Sequence, residues 1–431
     1  MQAEGVHPIW RSTEPWPTTL IAHRRGSHAP SLEDTLASLA ISLDETVELL
    51  EILGSQDDKH PFSAVIRVPG MDVPVFLACE KAKNQNDSPE DLKNVLKECS
   101  WVLIAETLLN PDKPLDSYAR LARLIAHDQE VVAMLDATTG LWSNRETIDR
   151  DLLDDSVPAP ERYLWQTRVV STSEDLEEGT AWIWTNGLLR SGRPDLEMLE
   201  IPVRLIHDAV DMINIAAGLL LDGEVPVPEI PWKLGEGIDV VLIPWKEVVE
   251  TIDPDSLGSF EDREQLGQET PNPLMGARAV LCAVEMKGSF RQIRTWPEHA
   301  LKMFSSSDAM VHTSTYAAQR GSALAKRSWS LLVEAWDFCS HDMDHSPVIL
   351  VGVPVGTNPD GHEEHGWIQL DSLDSQGGSG KLIRDALTGC PQGTYINFLL
   401  EEVGGWKIID GDRTCSHADE INPTDFLKGT A

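Results

Sequence analysis

Two short runs in the last quarter of the chain concentrate side chains that bind metals and move protons. They are CSHDMDH at Cys339–His345 and DGHEEH at Asp360–His365. Imidazole, thiol and carboxylate are the ligand types that zinc takes. His341 and His345 share one face if their segment is helical, and His362 and Glu364 share one face of a strand. A closed site would staple a helix to a sheet, whereas a site with an open position would activate water for hydrolysis. Neither run has an established spacing such as HExxH, so the competing reading is a polar loop facing solvent. The metal assignment is therefore His341, His345, His362 and Glu364 with zinc, set against a protein with no cofactor.

A second dense stretch is Trp182–Ile201, WIWTNGLLRSGRPDLEMLEI. It joins an aromatic strand, a glycine-hinged loop bearing Arg190 and Arg193, and an acidic segment opened by Pro194. Trp184, Asn186, Arg190, Arg193 and Glu197 are the candidate binding loop. The alternative for these arginines and carboxylates is a structural ion-pair network. No catalytic residue is assigned. SQGGSGK, Ser375–Lys381, imitates the end of a phosphate loop, but Leu382 stands where Ser or Thr is needed, and it reads as a hairpin turn. No GxSxG elbow is present. His207, Asp211 and Asn214 fall at helical spacing and read as a solvated stripe. Trp142, Trp165, Trp182, Trp184, Trp232, Trp245, Trp367 and Trp406 are expected mostly in cores, with one or two left to anchor a partner.

Composition limits the classes of function. The chain has 431 residues, enough for two or three domains, with 41% hydrophobic and 24% charged residues. Its 35 basic and 70 acidic residues give a formal charge of −35. A field of that sign repels phosphate backbones and anionic lipid, so neither nucleic acid nor membrane is an expected partner, and the acidity reports solubility or at most a cationic partner. The opening residues lack a basic segment followed by an apolar one, so no secretory signal is expected. The apolar run Ile213–Leu221 is far short of a bilayer span. The 6 cysteines are scattered without a CxxC pair, which suits reduced thiols and a cytoplasmic protein.

These candidates must be positioned by an α+β, multi-domain chain. Residues 1–150 read as an N-terminal α/β-type sandwich, because apolar strands at Ser63–Val68, Val73–Ala78, Trp101–Ala105 and Val131–Leu135 alternate with helices, including an amphipathic one over Asp116–His127. His23 and His28 read as loop residues. Asp136–Gly140, DATTG, lies beyond a strand end. Acidic, proline-rich Asp149–Glu161 reads as a linker to a middle α+β unit, 160–252, with paired strands before a helix at Arg204–Leu221. Asp253–Pro273 reads as a second linker. Residues 276–431 read as a long helix, Thr315–Trp336, with a small twisted antiparallel sheet or partial barrel.

The C-terminal stretch containing Trp367, Lys381–Asp385, Gly393 and Trp406 resembles domain-of-unknown-function family 2314, the YegJ-like family. The stretch Trp184-Thr185-Asn186-Gly187-Leu188, Arg190, Gly192-Arg193-Pro194 and Asp195-Leu196-Glu197 resembles family 4026, whose pattern there reads His-Thr-His-Gly-Leu, an arginine, Gly-x-Pro and Glu-Leu-Glu. Both histidines of that pattern are replaced here. The resemblance implies a bacterial protein and brings no known activity. Around His23-Arg24-Arg25 the chain superficially resembles glycerophosphodiester phosphodiesterases, but that family's acidic metal pair and second histidine are missing.

The leading expectation is a non-enzymatic protein-binding or regulatory module of unstated oligomeric state, and the rival is a metal-dependent hydrolase. Elemental analysis of untagged protein purified without chelator separates them. Near-stoichiometric zinc that His362→Ala loses supports the metal site. Metal-free protein whose thermal stability is unchanged in the variant leaves those histidines in a loop.

Overall fold

The computed structural model describes residues 8–10, 16–43, 45–53, 59–83, 88–173, 178–223, 226–266, 273–287, 290–306, 311–342, 347–357, 363–419 and 421–429. The chain forms two compact units, residues 1–154 with 159–314, and residues 155–158 with 315–431. The fold is α+β, built on three antiparallel or mixed sheets. Among the described residues no helix is long and apolar enough to cross a membrane.

The larger unit holds two sheets. The first comprises β1 (Thr18–Arg24), β2 (Glu48–Ile52), β3 (Phe62–Arg67), β4 (Val75–Lys81), β5 (Trp101–Thr107), β6 (Val131–Asp136) and β7 (Leu141–Asn144), in the order β2-β3-β4-β5-β1-β6-β7. Every neighbouring pair is antiparallel, within the α+β fold expected of the chain. The long connections 25–47 and 108–130 carry helices between strands that are not neighbours, and the strands that do pair run antiparallel. The helix Pro114–Ala126 makes a long crossover between β5 and β6, with β1 between them as their shared neighbour, and the helix Leu32–Leu43 lies on another between β1 and β2. The helix Pro114–Ala126 buries Leu115, Tyr118, Leu121, Leu124 and Ile125, the stripe its period of 3.6 dictates.

The second sheet comprises β8 (Gln166–Ser171), β9 (Thr180–Asn186), β10 (Asp195–Pro202), β11 (Trp232–Gly235), β12 (Ile238–Pro244), β13 (Arg278–Lys287) and β14 (Phe290–Arg294). Its order is β11-β12-β13-β10-β9-β8, with β14 on β13. β10 and β13 are parallel, and the helix Ile206–Leu221 packs on β9 and β10. β13 therefore sits inside this sheet rather than opening a third domain at residue 276. Its buried Ala279–Cys282 run is satisfied by having β10 and β12 on either side. The expected linkers are packed as well. Asp151, Leu152 and Ala159 are buried, and Asp253–Pro273 contains the helix Phe260–Leu266 with buried Arg263.

The smaller unit is an antiparallel sheet of β15 (Val348–Thr357), β16 (Glu363–Asp374), β17 (Gly377–Leu382), β18 (Tyr395–Leu399), β19 (Gly405–Asp410) and β20 (Arg413–Ser416). The order is β18-β17-β16-β15-β19-β20, an open row rather than a barrel. The expected long helix is two, Thr315–Arg327 and Trp329–Asp342. Ser328 separates them: its hydroxyl donates to the Leu324 carbonyl at 2.8 Å and accepts the Trp406 indole N–H at 3.0 Å. Trp329, Leu332, Val351, Ile368 and Trp406 form the core.

The glycines of SQGGSGK act as strand spacers. A Cβ on Gly378 would fall 2.5 Å from the Ser372 carbonyl oxygen, and one on Gly380 would overlap that of Gln369. Gly380→Ala should therefore cost about 1–3 kcal/mol through forced strand separation. Hydrogen exchange should accelerate across residues 363–382 and stay unchanged in β1–β7.

Candidate functional site

The stretch Trp182–Ile201 becomes β9, a loop and β10, and every residue in it except Asn186, Gly192 and Glu200 is buried. Gly187, at φ 125°, permits the inward turn. A Cβ there would lie 2.5 Å from the Leu164 carbonyl oxygen and 2.9 Å from Thr139 Cγ2. Arg190 thereby reaches the first sheet, where its Nη1 pairs with Asp136 at 2.8 Å. Its Nε donates to the Leu164 carbonyl at 3.2 Å, its Nη2 to that of Tyr163, and its guanidinium lies 5.2 Å from the Tyr118 ring centre. Asp136 Oδ1 also accepts the backbone N–H of Thr138 at 3.0 Å and of Thr139 at 3.3 Å. Asn186 Nδ2 donates to the Thr138 carbonyl at 3.2 Å. The DATTG turn is thus a joint between the two sheets. Arg193 Nε donates to the Leu220 carbonyl at 2.7 Å, at the end of the helix Ile206–Leu221 where carbonyls lack helical partners.

Beneath the loop lies a sealed cluster of charges. Glu197 is 0% exposed and receives Arg263 Nη1 at 2.7 Å and Nη2 at 2.5 Å. Arg278 Nε also donates to Glu197, and its Nη1 lies 3.6 Å from Asp195. Asp195 Oδ1 accepts the Thr185 hydroxyl and the Leu188 N–H, each at 3.0 Å. Arg263 is sandwiched 4.9 Å from the Trp182 ring and 4.5 Å from that of Trp245, contacts worth about 2 kcal/mol when desolvated. Two cations meet two anions here, so the interior stays neutral.

Burial alone would raise the Glu197 carboxyl, but Arg263 and Arg278 outweigh it and hold the group at about 2. Asp195 goes the other way: burial raises it and the more distant Arg278 only partly opposes. Tyr118 is pushed well above its ordinary value by burial and then by Asp136. Burial also raises the thiols of Cys79 to about 12, Cys99 to about 11 and Cys415 to about 11. Thiols shifted this way are poor nucleophiles at neutral pH.

The sequence candidates thus separate. Trp184, Arg190, Arg193 and Glu197 are interior and do not face a partner, and Asn186 is half-buried against Thr138. The ion-pair alternative describes Arg190 and Glu197, with Asp136, Arg263 and Arg278 as partners that local sequence did not reveal, whereas Arg193 bonds the Leu220 carbonyl. Of the C-terminal set, His345 and His362 lie outside the described residues. His341 is exposed at a helix end, its Nδ1 2.8 Å from the Asp337 carbonyl oxygen. Glu364 accepts the backbone N–H groups of Leu387 and Thr388, each at 2.7 Å. Among the described residues no three His, Cys, Asp or Glu side chains are grouped to hold a metal. His28 is exposed, as a loop residue should be, but His23 lies within β1, 1% exposed and 5.2 Å from the Trp142 ring, and burial lowers it to about 4. The apolar cover over that strand face holds it neutral.

An accessible concavity of about 440 Å³ opens beside the helix Ile206–Leu221. Its wall includes Leu141, Glu161, Trp165, Thr167, Asn214 and Ile215. Asn214 therefore leaves the solvated stripe, whereas His207 and Asp211 stay exposed on it with 3.9 Å between their charged atoms.

The fold and this geometry define an α+β protein whose central loop is an interior hub. Residues 168–275, the stretch with the hub loop and Arg263, match the family model described as Protein of unknown function (DUF4026) C-terminal. The chain matches no curated protein and no solved structure.

Glu197→Gln should destabilise the larger unit by about 3–5 kcal/mol at neutral pH, since two buried arginines lose their main counter-charge. The Glu197 carboxyl is depressed in the folded state, so its contribution is complete above the unfolded value and is lost as pH falls from about 4.5 towards about 2. Urea midpoints measured across that interval should fall steeply for the native chain and less steeply for the variant.

Proposed function

We propose that the protein is a non-enzymatic binding or regulatory module that docks an extended, basic segment of a partner protein against strand β2. The observation that carries this reading is the state of that strand. β2 is an edge of its sheet, all five of its residues are exposed, and Leu49, Leu50 and Ile52 are 40%, 38% and 51% exposed. An exposed apolar edge is a template for an added strand. Glu48 and Glu51 interleave these apolar residues, and the chain carries −35 overall. That charge opposes pairing with a second copy and favours a segment in which lysine or arginine alternates with apolar residues. Trp142 and Trp367 are only half-buried, but the other tryptophans singled out in the sequence are core residues, so the docking surface is aliphatic rather than tryptophan-bearing.

We further read the smaller unit as YegJ-like. Trp367 on β16, Lys381 on β17 and Trp406 on β19 support that reading by lying on three strands of one sheet. Six free cysteines support a reducing, cytoplasmic setting in a bacterium. No cofactor enters the proposal.

A defined peptide of alternating lysine and valine, titrated by calorimetry and followed by hydrogen exchange, should bind and protect residues 48–52. The acidic peptide of alternating glutamate and valine should not. Leu49→Lys with Ile52→Lys should abolish binding without lowering stability by more than about 1 kcal/mol, as both side chains are solvent-facing. Equal binding of the acidic peptide, or protection located elsewhere, would overturn the docking proposal.

A further inference from the structure

We infer that the concavity beside the helix Ile206–Leu221 is a binding site for a small organic cation, a primary ammonium on a short apolar stem held by the Glu161 carboxylate. This site is separate from the β2 edge, and neither depends on the other. Its volume of about 440 Å³ lies within the range of small-ligand pockets.

Glu161 is the only acidic residue in the wall, and it differs from the other buried acids of the unit. Asp136, Asp151, Asp195 and Glu197 each lie beside an arginine. Glu161 is half-buried yet has no cation within ion-pair distance among the described residues, and its Oε2 accepts only the Ser314 hydroxyl. A partly desolvated anion without a counter-charge is held at a cost that a ligand cation would offset. Burial raises its carboxyl, Ser314 opposes and Asp222 adds to the rise. Gly218 provides the space, because a Cβ there would lie 2.6 Å from Glu161 Oε1.

Asn214 supplies the complementary group. The Trp165 indole N–H donates to its Oδ1 at 3.0 Å and the Thr167 hydroxyl at 2.7 Å. An indole N–H can only donate, so the orientation of this amide is settled. Its Nδ2 is left with two donors and no protein acceptor among the described residues. Half-buried Leu141 and Ile215 give the methylene stem an apolar wall. Arg162 also lines the opening; its guanidinium is mostly exposed, and its Nη2 donates at 3.1 Å to the buried Asp151, which it shares with Arg150. The net charge of −35 raises the local concentration of any small cation.

An ammonium on such a stem comes either from a free diamine or from the lysine side chain of a protein, and calorimetry on the full chain distinguishes them. Cadaverine and Nα-acetyl-lysine methylamide are the probes, and pentanoate is the anionic control. At least one cation should bind and pentanoate should not. A preference for cadaverine assigns a free diamine, and a preference for the lysine analogue assigns a protein side chain. Glu161→Gln should weaken binding about tenfold or more, as expected for loss of a charged hydrogen-bond partner. Ile215→Trp should fill the concavity from its half-buried wall and abolish binding, which covers the case in which the glutamine variant fails to fold. Absence of binding by both cations, or binding unchanged in a folded Glu161→Gln or Ile215→Trp protein, would overturn the assignment.

Discussion

Glu197, held between Arg263 and Arg278, is the interaction on which the larger unit depends. It joins β10 to a helix 66 residues away and to β13 81 residues away. A carboxylate at this depth is tolerable only because charge-assisted hydrogen bonds replace its lost hydration. The two arginines are tolerable only because Asp195 and the faces of Trp182 and Trp245 complete their surroundings. No member of this cluster can be removed without leaving another charge uncompensated. It therefore specifies which strand lies beside which, since a shift in the pairing of β10 and β13 would part Arg278 from both of its acids.

Arg190 extends the same logic between sheets. Its pairing with Asp136 ties the loop after β9 to the turn after β6, so the two sheets of this unit share one polar joint. That joint uses the carboxylate, guanidinium and amide groups of the central stretch for internal bonding. Groups with capacity left for an external molecule lie elsewhere. The two sites proposed above are the backbone edge of β2 and the concavity whose wall includes Glu161 and Asn214. In these proposals stability and recognition rest on different residues, so substitutions at either proposed site leave the charged interior undisturbed.

Much of the local architecture was legible in the sequence. The apolar period of Leu121, Leu124 and Ile125 marked a helix, the runs at Val131–Leu135 and Trp182–Thr185 marked strands, and the arginines and acids of the central loop suggested an ion-pair network. The misreadings share one cause. Asp149–Glu161 and Asp253–Pro273 read as linkers because acidic, proline-rich composition usually reports solvent exposure. Both contain charges that are buried through partners distant in sequence or turned inward by the local chain, as Asp151 and Arg263 show. His23 reads as a loop residue in the sequence, yet it lies within β1 with its ring beside Trp142. The concavity was missed altogether. Glu161 lay in an apparent linker and Asn214 in an apparent solvated stripe, and neither suggests the other.

What the sequence by itself determined was the set of short-range outcomes: periodicity of 3.6 or 2, turns requiring glycine, an excess of negative charge, and the concentration of demanding residue types at Trp182–Ile201. Those follow from sterics and patterning within a few residues. Only the tertiary structure decided that the first sheet is antiparallel throughout, that β13 joins the second sheet, and that Arg263 and Arg278 converge on Glu197. The reason is physical. Strand order and ion pairing are settled by which buried groups can satisfy one another across long stretches of chain, and the local sequence carries almost no record of that choice.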